Sequence, residues 1–210
     1  MALSDHKTLI EAFNSISGTD TAKALGWVAL DTKFERFVTA AVATAINTQA
    51  DKRIAHVEFT THKKVRREPD GPKDSRVDLV ILGDRIPSRP GKYLRTGSEA
   101  IVMRYETKAG QLFDFAPRAR TKKRYLGGDL DKDLKAMGSA RGAGLFFISE
   151  ISDPTRCAKY FGGNTASLDD ALSTLMRNVT KGEVVTQAVV SCGTIDATDV
   201  KIHMIVFDRV

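Results

Sequence analysis

The chain alternates between stretches with apolar residues at helical spacing and stretches with apolar residues at every second position. Leu9, Ile10, Phe13 and Ile16 share one face of a short helix that Gly18 ends, and Trp27 follows in a short apolar piece. Beyond Asp31 and Thr32, both suitable N-caps, Phe34, Phe37, Val38, Ala41, Val42, Ala45 and Ile46 recur at intervals of three and four. That spacing predicts a helix whose last turn is Asn47, Thr48 and Gln49, with alanines that permit close packing against a sheet. Residues 54–60 predict a strand with His56, Glu58 and Thr60 on a polar face or edge, opposite Val57 and Phe59. A turn-rich connector over 68–75 leads to a strand at 76–82 that is aliphatic on both faces, as in a sheet covered from both sides.

A polar insertion with Pro87, Pro90, Gly91 and Gly97 separates this strand from the next, at 101–108. A loop over 111–128 follows. Asp129 then caps a predicted helix at 130–137, with Leu130, Leu134 and Met137 on one face, Lys132 and Lys135 off it, and Gly138, Gly142 and Gly144 at its exit. Residues 143–148 form a short, continuously apolar strand suited to the centre of the sheet. Leu168, Ala171, Leu172 and Leu175 predict a further helix, capped by Ser167 with Asp170 three positions on. The chain closes with strands at 184–192 and 201–207 around a turn holding Gly193 and Asp199. This antiparallel pair would either extend the main sheet or meet a partner subunit. The expected fold class is α/β, a mixed sheet flanked by helices in one domain over 1–210.

Composition narrows the functional classes. The chain has 210 residues, 42% hydrophobic and 28% charged, as in an ordinary soluble globular domain. The longest apolar runs, such as 144–148, are far too short to span a bilayer. The first residues are polar and acidic where a secretory signal needs an apolar stretch, so a cytoplasmic protein away from membranes is expected. Cys157 and Cys192 make neither a disulfide framework nor a metal-binding Cys-x-x-Cys pair, and they read as structural. The four histidines, His6, His56, His62 and His203, have no zinc-ligand spacing. Neither dinucleotide nor P-loop glycine patterns occur.

The net charge of +6 favours a polyanionic partner, and its placement is more informative. Lys63, Lys64, Arg66 and Arg67 precede the 76–82 strand, whereas Arg118, Arg120, Lys122, Lys123 and Arg124 follow the 101–108 strand. Each cluster alone reads as a solvated loop. Together they flank the strands that carry the candidate chemistry, which points to a rim contacting nucleic-acid phosphates. Arg85, Arg89, Lys92 and Arg95 add charge to the insertion, and Phe113, Phe115 and Tyr125 interleave with the second cluster as stacking groups or as loop anchors.

That chemistry rests on three residues. Asp78 lies inside an aliphatic run, an expensive place for a charge without a partner or metal. Glu106 and Lys108 are two apart on a strand and leave the same face. Two hard carboxylate ligands suit Mg²⁺, and the ammonium can hold an attacking water or balance phosphate charge. Glu35, in the first turn of its helix, is either a favourable surface charge at a helix N-terminus or a third carboxylate leaning toward the metal.

Asp78 and the triplet Glu106-Thr107-Lys108, in this order of elements, resemble the PD-(D/E)xK nuclease superfamily, the restriction-endonuclease-like fold. The resemblance covers roughly 31–150. Val77 stands where many members have proline, and the distance from Asp78 to Glu106 requires an inserted loop. The resemblance implies a restriction-endonuclease-like sheet with inserted basic loops, and Mg²⁺-dependent cleavage of double-stranded DNA, usually by a homodimer. It implies Asp78, Glu106, the Thr107 carbonyl and Glu35 at the metal, and Lys108 at the attacking water. A type II-like restriction endonuclease is the first expectation, a structure-specific repair or recombination nuclease the next, and a non-catalytic DNA-binding module a third.

Overall fold

The computed structural model describes residues 6–30, 34–50, 54–61, 75–82, 101–116, 127–137, 142–153, 155 and 166–210. Helices α1 (Lys7–Ser15), α2 (Asp20–Ala29) and α3 (Glu35–Ala50) precede strands β1 (Ala55–Thr61), β2 (Ser75–Leu82) and β3 (Ile101–Gln111). A 3₁₀ turn (Leu112–Phe115), α4 (Gly128–Ala136) and β4 (Gly142–Ile151) follow. The chain ends with α5 (Leu168–Asn178), β5 (Gly182–Ile195) and β6 (Thr198–Arg209).

The six strands form one mixed sheet in the order β1-β2-β3-β4-β6-β5. β3 and β4 run parallel, with α4 between them in the chain, and every other neighbouring pair is antiparallel. The terminal strand pair therefore extends the main sheet, with β6 against β4. β4 is central and buried over most of its length, as its unbroken apolar sequence predicts.

Alternation along β4 divides the core between the two faces. Ala143, Leu145 and Phe147 join a cluster with Leu9 and Phe13 of α1, Leu25 of α2 and Val38, Val42 and Ile46 of α3. Phe146 and Ile148 point the other way, into a cluster with Leu130 and Leu134 of α4 and Ala171 and Leu175 of α5. The sheet thus carries α1–α3 on one face and α4 and α5 on the other.

Several local expectations are corrected. The short apolar piece around Trp27 is a full helix, α2, capped by the Thr19 hydroxyl accepting from the Ala22 N–H at 3.3 Å. Its buried positions are mostly small (Ala22, Leu25, Gly26 and Ala29), so the sequence shows little apolar stripe, and Trp27 is exposed. Phe37 is 60% exposed and does not belong to the buried face of α3. β1 is an edge strand, one of the two expected alternatives, but His56 is 8% exposed and Val57 41%, so at these two positions the expected polar face is the buried one. Gly127, in the left-handed region at φ 85°, is the N-cap of α4 in place of Asp129, which pairs with Lys132. The β5–β6 turn is Asp196-Ala197, both at positive φ, leaving Gly193 in β5 and Asp199 in β6. The capping box of α5 is as expected, with the Asp170 N–H donating to Ser167 Oγ at 3.1 Å and the Ser167 N–H to Asp170 at 3.0 Å.

Two features fix the layers around β3. His6 is fully buried, with Nε2 2.7 Å from Asp208 Oδ1 of β6 and Nδ1 3.1 Å from the Tyr105 hydroxyl of β3. This network ties the start of α1 to two strands that are not neighbours. On the other face, Gly142 and Gly144 lie inside β4, not in a helix exit. A Cβ at Gly144 would stand 3.0 Å from Leu130, and one at Gly142 would collide with the Met137 sulfur. Both absences let α4 sit close against the sheet.

Candidate active site

β2 and β3 pair through Leu79↔Tyr105, Val80↔Arg104, Ile81↔Met103 and, past an irregularity, Leu82↔Ile101. One step beyond the Leu79 pair, the register sets Asp78 opposite Glu106. The two carboxylates thus lie on adjacent strands of a mixed sheet. Asp78 also replaces a ladder bond, because the Thr107 N–H donates to Asp78 Oδ2 at 2.8 Å and the Thr107 hydroxyl approaches the same oxygen at 3.3 Å. The Thr39 hydroxyl of α3 donates to Thr107 Oγ1 at 3.2 Å, so helix and strand are joined at this point.

Backbone donors two residues apart on a strand point to the same side. The Ala109 N–H therefore points, like that of Thr107, away from β4 and toward β2. The Glu35 carboxylate, from the first turn of α3, comes near enough to Ala109 for its backbone to favour the charged carboxylate, and it also feels Lys108 and Asp78. Asp78, bonded to the Thr107 N–H, and Glu35, close to Ala109, thus both lie beside β3. Glu35 belongs to the cluster and is not an isolated helix charge.

Glu106 and Asp78 are close enough for the protonated Glu106 carboxyl to hydrogen-bond Asp78. Burial, followed by the charges of Asp78 and Asp133, pushes the Glu106 carboxyl from 4.5 up to about 8. Burial also raises Glu35, opposed by Lys108 and reinforced by Asp78. For Lys108, burial alone would disfavour the ammonium. The hydrogen bond and charge of Asp133, with Glu35 and Asp78, outweigh it and hold Lys108 above the ordinary lysine value. An ammonium held this firmly is suited to electrostatic stabilisation and poorly suited to taking up a proton.

Asp133 is the member of the cluster that the sequence analysis missed. Its Oδ2 lies 2.7 Å from Lys108 Nζ, which also donates to the Thr107 carbonyl at 3.0 Å. Asp133 sits one turn beyond Leu130 and next to Leu134, at the margin of the apolar face of α4, and that margin was the available signal. Neighbouring Asp131 serves a different purpose. Burial would raise its carboxyl, but Lys135, the Lys181 N–H and the Thr180 hydroxyl hold it low and pin α4 to the start of β5.

Among the described residues, no group of three or more His, Cys, Asp and Glu side chains is arranged to hold a metal ion. The donors at Asp78 and Glu106 nevertheless have the chemistry of a hard-cation site. The Glu106 carboxyl is pushed up to about 8 partly by the Asp78 charge, which a cation would offset, and the adjacent Thr107 carbonyl already accepts from a cationic group. Mg²⁺ commonly takes only one or two carboxylates and keeps several waters. The basic residues Lys63, Lys64, Arg66, Arg67, Arg118, Arg120, Lys122, Lys123 and Arg124 lie outside the described residues, as do Cys157 and the 83–100 insertion. Cys192 is a free, buried thiol that burial pushes up to about 11, in keeping with a structural role. No helix among the described residues is long and apolar enough to cross a membrane.

Comparison with protein-family models, with curated proteins and with solved structures found no match for this chain.

Proposed function

We propose that this protein is a Mg²⁺-dependent DNA endonuclease with a PD-(D/E)xK-type site in a restriction-endonuclease-like fold. The observation that carries this reading is the convergence of Asp78, Glu106 and Lys108 on one face of β2 and β3, with the Glu106 carboxyl pushed up to about 8 by burial and by Asp78. The succession of α3, the antiparallel β1-β2-β3 meander, α4 and a β4 parallel to β3 supports it.

In this reading Asp78, Glu106 and the Thr107 carbonyl hold the cation, with Glu35 assisting at the same edge of β3. When bound, the cation polarises the scissile phosphate and stabilises charge as the P–O bond breaks. Lys108 supplies a fixed positive charge beside the phosphate and orients the attacking water. The basic clusters on either side of the site in sequence supply attraction for duplex DNA. A cytoplasmic restriction enzyme acting as a homodimer is the preferred assignment.

The test is incubation with supercoiled plasmid, branched DNA and RNA, each with Mg²⁺ or with chelator. A fixed set of plasmid fragments that requires Mg²⁺ is expected. Preference for branched DNA would reassign the protein to repair or recombination. Binding of DNA without cleavage of any substrate would make it a DNA-binding module.

A further inference from the structure

Lys108 is carried by β3, but the group that fixes its ammonium comes from elsewhere. Asp133 reaches it at 2.7 Å from α4, across the face of the sheet that carries the candidate site. Apart from Asp133, the carboxylates that act electrostatically on Lys108 include Glu35, Asp78 and Glu106. The lysine would then fall toward the carboxylates assigned to the cation and compete for them.

α4 is held in place by features independent of the site. Leu130 and Leu134 are fully buried, and Leu130 seats against Gly144, the β4 neighbour of Glu106. Asp131 anchors the helix to Thr180 and Lys181 through bonds of 3.1 and 2.7 Å. Asp133 is one turn from Leu130 and is not part of that anchoring. Its side chain is 37% exposed, so the apolar contact of α4 does not depend on it.

We propose that Asp133 is a positioning residue. It holds the Lys108 ammonium on the α4 side and away from Asp78 and Glu35, so that α4 decides where the lysine's charge lies. The proposal rests on the nuclease reading for its consequence in cleavage, while the ion pair itself does not.

The experiment is a double-mutant cycle on the full chain with wild type, D133N, K108A and D133N/K108A, supplemented by D133E. Single-turnover cleavage of DNA with Mg²⁺ is one readout, and thermal melting of the metal-free proteins is the other. In the presence of Lys108, D133N is expected to slow cleavage about tenfold or more, the scale for displacing a catalytic group by a fraction of an ångström. In the K108A background the same change should alter cleavage less than about twofold, because nothing is left to position. D133E, which keeps the charge, should recover most of the lost rate. The melting shifts of the two single variants should exceed that of the double variant when summed.

Equal slowing by D133N in both backgrounds would overturn the positioning role, whatever the melting result. Additive melting shifts would overturn the ion pair itself. A wild-type protein that cleaves no nucleic acid would refute the nuclease reading instead, and the melting cycle would then decide whether Asp133 holds Lys108.

Discussion

The Glu106 carboxyl gives the sharpest physical test of the site. Burial and Asp78 raise it from 4.5 to about 8, so the folded protein binds a proton there that the unfolded chain gives up near 4.5. The linkage has one sign. Stability from this group is fully present below about 4.5, falls as pH rises through the interval, and levels off above about 8. A rise of this size corresponds to roughly 5 kcal/mol if fully expressed. Glu106 is only partly buried, and solvent screening reduces the expected loss to about 2–3 kcal/mol. For a chain of this length that is about 5–10 °C in melting temperature. The perturbation is Glu106→Gln, which keeps the shape and a hydrogen-bond donor for Asp78 and removes the titration. Melting in chelator from pH 5 to 9 should show the wild type losing stability relative to the variant as pH rises toward 8, with no further loss above it. Millimolar Mg²⁺ should stabilise the wild type more at pH 8.5 than at pH 5.5, because the cation takes the place of the proton. Parallel stability curves for the two proteins would refute the coupling of Asp78 and Glu106 and, with it, the cation site between them.

Lys108→Ala should slow single-turnover cleavage by at least ~100-fold, the scale for one well-placed electrostatic donor. DNA affinity, measured by anisotropy, should stay within a few-fold. Neutralising Lys122, Lys123 and Arg124 together should weaken DNA binding and lower the log–log salt slope by roughly one per lost phosphate contact, with little change in the rate of bound complexes. Gly144→Ala places a Cβ 3.0 Å from Leu130 and should cost about 1–3 kcal/mol in denaturant unfolding, with α4 displaced from the sheet. His6→Ala removes the buried hydrogen bonds to Asp208 and Tyr105 and should cost about 1–3 kcal/mol in the same measurement.

Wherever a residue's surroundings follow from its near neighbours in the chain, the sequence determined the outcome. The unbroken apolar run of β4 dictated a central strand, since only a strand covered on both faces buries every residue. The Ser167–Asp170 spacing dictated the start of α5, because both partners of a capping box lie within one turn. The placement of Glu106 and Lys108 on one face followed from the two-residue period of a strand. Where small residues weakened the stripe, as in α2, or where an edge strand buried His56 and exposed Val57, local pattern misled.

What brings the site together lies at long range. Asp78 faces Glu106 because of the β2–β3 register, set by pairing across an insertion and not by any local spacing. Glu35 reaches the site because α3 packs beside β3, where the Thr39 hydroxyl donates to Thr107, and this sets its first turn near Lys108 and Asp78. Asp133 meets Lys108 because two glycines in β4 let α4 come close to the sheet; its place at the margin of the apolar face of α4 signals nearness to the sheet but not which residue it meets. The tertiary structure also decided the charge states. A partly buried carboxyl beside another carboxylate keeps its proton near neutral pH, whereas the same residue in the unfolded chain would lose it near 4.5.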